Sequence, residues 1–116
     1  MEPVSTKHGK IAFDFATALA NSDYTSAHGL LSESLKNEWS SDSLKKEYEE
    51  MIEYGEGDVT HIEVMNEMIE WPTKENNDLG WAYVAMSGND FSEAVAVVIC
   101  NEKNHLKVRE IEWGRP

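Results

Sequence analysis

The side chains in this sequence with the best prospects for acid or base chemistry are two carboxylates set into apolar patterns, one histidine and one tyrosine. Asp14 lies three residues after Ile11 and four before Ala18, on the apolar stripe of a helical segment. A carboxylate held there out of water keeps its proton to higher pH and serves as a general base or as the anchor of a polar ligand. The plainer and preferred reading puts Asp14 at the edge of the stripe, paired with Lys10 four residues back. Glu93 has the strand parity of Val95, Val97 and Ile99 and could point inward with them; its place near a strand end favours solvent instead. His61 is the histidine best placed for proton transfer, near the start of a strand beside a pocket rim, although a lone surface imidazole is the more ordinary outcome. Tyr83 completes the set that one pocket mouth would have to gather.

Other chemistries find less support. His8, His28, His61 and His105 fall at no metal-ligand spacing, and no Gly-x-Ser-x-Gly nucleophile motif occurs. The single cysteine, Cys100, shares phase with Ala94, Ala96 and Val98 and reads as a packed thiol; it can form neither an internal disulfide nor a cysteine zinc cluster. No cofactor is expected. Most of the aromatic side chains should be core. Trp81 and Tyr83 share one face of a strand and Trp113 closes the last one, so with Tyr48 they are the candidates to line a pocket for a flat or apolar ligand.

The elements that must position these groups follow from period. Ile11, Phe15, Ala18 and Leu19 predict a helix over 6–20. Asp23 is a natural cap for a second, shorter helix carrying Ala27, Leu30 and Leu31. Leu44, Tyr48, Met51 and Ile52 predict a third over 41–54, stopped at Gly55. The helical period then disappears, and 59–71, 81–87, 91–101 and 105–113 read as four strands in an antiparallel meander, with Pro72 marking the end of the first. In the last strand Leu106 and Val108 have one parity while Ile111 and Trp113 have the other, which predicts a bulge near Arg109 and Glu110. Bulges bend strands, so a curled sheet with helices on its concave face is expected.

Charge narrows the partners. The 116 residues carry a formal charge of −12, a field that repels nucleic acid and anionic lipid, so neither is expected as a partner. The longest uninterrupted apolar run, 94–100, falls far short of the roughly 20 residues a membrane span needs, and residues 1–10 lack the apolar segment of a secretory signal. One soluble cytoplasmic domain over 1–116 is the expectation. Between Glu33 and Glu70 there are 12 acids and 3 bases, so −9 of the charge lies in the third helix and its flanks. A solvated helix face is the usual reason; a docking surface for a basic protein, through Glu47, Glu49, Glu50 and Glu53, is the more specific one.

The order of three helices and a curled sheet, with the segments FDFATALANSD, AHGLL, LKKEYEEMI and LKVREIEW, resembles the nuclear transport factor 2-like, or cystatin-like, superfamily. The resemblance implies an α+β cone, with three N-terminal helices packed in a curved four-stranded antiparallel sheet and a pocket at the open end. It also implies a homodimer formed through the sheet, with Val98 and Arg109 among the contacts. Superfamily members include isomerases, dehydratases, hydrolases and adaptors, and some immunity proteins are similar to them, so the fold leaves function open. No member's catalytic set maps onto this chain. The leading expectation is therefore a non-catalytic domain binding a small ligand or a protein. A pocket enzyme using Asp14 and an acidic immunity-type inhibitor of a basic toxin are the alternatives.

Overall fold

A computed structural model describes residues 6–52, 59–88 and 92–114. Four helices, α1 (Lys7–Ala20), α2 (Tyr24–Gly29), α3 (Glu33–Glu38) and α4 (Ser41–Ile52), precede four strands, β1 (His61–Met68), β2 (Asp78–Ser87), β3 (Ser92–Glu102) and β4 (His105–Trp113). The strands form one antiparallel sheet in the order β1-β2-β3-β4. No helix among the described residues is long and apolar enough to cross a membrane.

Side-chain caps set the helix boundaries. The Thr6 hydroxyl accepts from the Gly9 amide at 3.0 Å and satisfies one of the donors that a helix start leaves open. α1 ends where Ser22 takes a φ of 59°, which lets the Asp23 amide reach the Ala18 carbonyl at 2.8 Å. Asp23 caps α2 as its spacing predicts, accepting from the Ser26 amide. The second helix does not continue through Leu31, however, and the described residues form four helices rather than three. The backbone leaves the helix after Gly29 and pairs with β4: Val108 donates to the Leu30 carbonyl and Ser32 donates to the Val108 carbonyl, each at 2.8 Å. Ser32 then caps the additional helix α3 by accepting from the Leu35 amide. The predicted third helix is α4; its predicted end, and Glu53 with it, lies outside the described residues.

Strand positions follow the sequence reading with shifted ends. β1 stops at Met68, before Trp71, and β2 begins at Asp78 rather than Trp81, because Asp78 already pairs with Cys100 and the extra residue Leu79 bulges out. The predicted bulge in β4 is present: Glu110 pairs with Val98 and Val108 with Ile99, leaving Arg109 between them. Another bulge falls at Met65 in β1. The β3–β4 turn is a two-residue loop in which Lys103 and Asn104 both have positive φ, 52° and 69°, the geometry that matches strand twist.

One face of the sheet carries the core. Ala82, Val84 and Met86 of β2, Val95, Val97 and Ile99 of β3 and Val108 of β4 pack against Ala12, Phe15, Ala16 and Leu19 of α1, with Leu44 and Tyr48 of α4 in the same cluster. Near the start of α1 the contact is closer still. A Cβ on Gly80 would lie 2.3 Å from the His8 ring, so only glycine lets this buried imidazole lie on β2. The His8 Nε2 is 3.3 Å from Glu67, which also accepts from the Thr6 hydroxyl.

Candidate functional site

The sequence-selected groups are distributed over both faces of the sheet and over two helices. Asp14, its side chain 44% exposed, has Lys10 as its ionic neighbour at 3.8 Å, the preferred pairing. His61 is 63% exposed and bonds Glu63 at 3.1 Å; pairing opposite Ser87 puts it on the face away from α1. Glu93 pairs opposite the core residue Met86 and is half-buried near the start of β3. Tyr48 is buried in the core, its ring 6.4 Å from Tyr24. Trp113 lies on the core side, 5.6 Å from Trp39. Trp81 and Tyr83 do share a face, with ring centroids 6.3 Å apart, but it is the face away from α1 and its cluster. Register therefore separates Tyr83 and His61 from Glu93, and Trp81 from Trp113.

The acidic helix is less one-signed than its composition suggests. Glu49 and Glu50 are exposed and Glu47 is half-buried, but Lys45 and Lys46 share a shallow depression with Asp42, Glu49 and Glu50. The lysines compensate these carboxylates locally.

The face away from α1 holds the more ordered electrostatic feature, one that sequence reasoning missed. Asp78, with a side chain 0% exposed, accepts from Arg109 Nε at 2.7 Å and from Nη2 at 2.8 Å. The Glu75 amide donates to the same carboxylate at 2.8 Å, and Glu75 and Glu110 each approach Arg109 Nη1 at 3.5 Å. Burial works against the charge on Asp78, but the hydrogen bonds from Arg109 and the Glu75 amide, with the charges of Arg109 and Lys74, outweigh it and hold the carboxyl below its ordinary value. The Asp78 hydrogen bond correspondingly raises Arg109 against the effect of burial. Burial, reinforced by the charges of Glu102 and Asp78, pushes the neighbouring Cys100 thiol up, so it stays protonated and unreactive. A polar cleft of about 540 Å³ opens beside the pair, with Ser32, Asn77 and Asn101 in its wall. Its buried charges already satisfy one another. The signals for the pair were the parity break at Arg109 and the turn-rich segment before Trp81; neither says that two bulges turn these side chains toward each other over β3.

Along the same face run Ala94, Ala96 and Val98, which are only 1–3% exposed although they lie outside the helix-packed cluster. Val98 stands between Trp81 and Glu110, Ala96 between Tyr83 and Glu112, and Ala94 opposite Ala85. Val98 and Arg109, the residues expected at a dimer contact, are thus already engaged within the chain.

No protein-family model, curated protein or solved structure matches the chain.

Proposed function

We propose that this chain is a non-catalytic protein-binding domain, its sheet curled about the helices as in the nuclear transport factor 2-like superfamily and its hollow occupied by its own side chains. The observation that carries this reading is the filling. Phe15, Leu19, Leu44, Met86 and Ile99 are all fully buried between helices and sheet, where a pocket enzyme would keep room for substrate. The dispersal of Asp14, His61, Tyr83 and Glu93 supports it, because proton transfer needs groups within hydrogen-bond reach of one reacting atom. With the interior occupied, recognition falls to the surface, and the charge of −12 selects basic partners. An acidic inhibitor of a basic toxin is one form such a protein takes.

The test uses a neutral apolar probe, N-phenyl-1-naphthylamine, which the negative field does not repel. A filled interior gives no saturable fluorescence gain at neutral pH. Saturable uptake, or turnover of any substrate that Asp14→Asn abolishes, overturns the reading.

A further inference from the structure

We propose that the face of the sheet away from α1, bordered by α3 beside Arg109 and Glu110, is the docking surface, and that its occupant is an extended basic segment of another protein with arginines at alternate positions. This inference rests on the protein-binding reading above and names the site and the partner's chemistry.

The register builds the surface in rows. In one row Trp81 of β2, Val98 of β3 and Glu110 of β4 lie side by side; in the next, Tyr83, Ala96 and Glu112 repeat the order of aromatic, small and acidic. Strands are about 4.8 Å apart, so roughly 10 Å separates the backbone under each aromatic ring from that under its carboxylate, with only a small side chain between. The small side chains make a floor, the half-buried rings one wall and the exposed carboxylates the other. An arginine laid across a row places its guanidinium against a half-buried ring and its N–H groups toward the carboxylate, above side chains that are already buried. The rows are two residues apart along each strand, about 7 Å, which is also the separation of alternate side chains in an extended peptide. One arginine per row follows from that match.

Charge decides between occupants. Across β2 the residues opposite the aromatic pair are the uncharged Asn66 and Met68, and Glu63, beside His61, stands one row further along opposite Ala85. Arg109 is compensated by Asp78 and Glu75, and its Nη1 also lies 3.5 Å from Glu110, which leaves Glu112 as the freer carboxylate of the two rows. Lys107, opposite Cys100 one row beyond Glu110, keeps its charge and donates to the Gly29 carbonyl. A second copy of the chain would bring Glu110 and Glu112 toward more carboxylates, whereas a basic segment neutralises them. The α4 surface, with Lys45 and Lys46 among its acids, offers no comparable one-signed site.

The experiment titrates the isotope-labelled full chain with the peptide acetyl-Thr-Arg-Val-Arg-Thr-amide and follows amide and indole resonances. Saturable shifts at Trp81, Tyr83, Ala96 and Glu112 are expected. Affinity should fall about tenfold in Trp81→Ala and in the Glu110→Gln, Glu112→Gln double variant, and should weaken between about 50 and 500 mM salt. Glu49→Gln with Glu50→Gln should leave it unchanged. The glutamine variants alter no buried group, so they test the site even if Trp81→Ala fails to fold. Shifts confined to α4, equal binding of the peptide with glutamates in place of arginines, or no saturation overturn the proposal. So does a dimer in sedimentation equilibrium that Trp81→Ala dissolves and the peptide does not. A chain that excludes the naphthylamine but ignores the peptide loses this inference and keeps the protein-binding reading; one that takes up the naphthylamine loses that reading itself.

Discussion

Neighbouring residues of β3 reach almost the same burial by different means. Val95, Val97 and Ile99 lie beneath α1 in the hydrophobic cluster, whereas Ala94, Ala96 and Val98 face away from it, outside that cluster, between residues of β2 and β4. Helix packing fixes the first cover, because moving it means separating two secondary-structure layers. Beside the second set stand side chains of the same sheet, Trp81 and Tyr83 half-buried and Glu110 and Glu112 exposed. Burial alone therefore does not distinguish a core from a closed binding surface. What stands over the buried atoms does.

The largest expected effect contrasts the two covers directly. Phe15→Ala, on the helix side, should lower the free energy of unfolding by about 3–5 kcal/mol, whereas Trp81→Ala should cost only about 1 kcal/mol despite removing a larger ring. Urea unfolding measures both, and equal losses would mean that the face away from α1 is structural core.

Next comes Asp78→Asn, which leaves the Arg109 guanidinium without its buried counter-charge and should cost about 2–3 kcal/mol. The sign of the pH effect follows from the depressed carboxyl: its stabilisation is present above the ordinary value of 3.8 and is lost as pH falls through the lower folded value. His8 acts in the same direction at higher pH. Burial lowers its pKa from 6.5, against the pull of Glu67, so the unfolded chain takes up the proton first and stability falls as pH drops below about 6.5. Unfolding curves of the wild type and of Asp78→Asn should therefore converge only in strong acid.

The smallest effect is at the helix–sheet contact. Gly80→Ala drives a Cβ into the His8 ring and should cost about 1–3 kcal/mol, recovered largely in the double variant with His8→Ala. A loss that His8→Ala does not relieve would place the constraint elsewhere.

Much of this architecture was legible in the amino-acid pattern, for identifiable reasons. The change from helical period to alternating β-rich segments marked the passage from helices to sheet, and the parity break between Val108 and Ile111 marked the β4 bulge, because both are local consequences of which side chains must be buried. α3 escaped notice since six residues, Glu33–Glu38, hold too little pattern, and Leu31 in an apolar stripe reads equally as helix or as a strand partner of Val108. The shared face of Trp81 and Tyr83 was legible; which face it is depends on register against β3. The Asp78–Arg109 pair, 31 residues apart in sequence, depends on bulges in two strands at once. Long-range register is the quantity that local periodicity does not contain.

The short pairing of Leu30 and Ser32 with Val108 also limits how copies of this chain can join. It occupies the outer rim of β4 at Val108, whereas no strand among the described residues occupies the outer rim of β1. Joining sheets edge to edge requires a free rim on each partner. The bridge interrupts that rim on β4, so β1 presents the edge that no such pairing breaks.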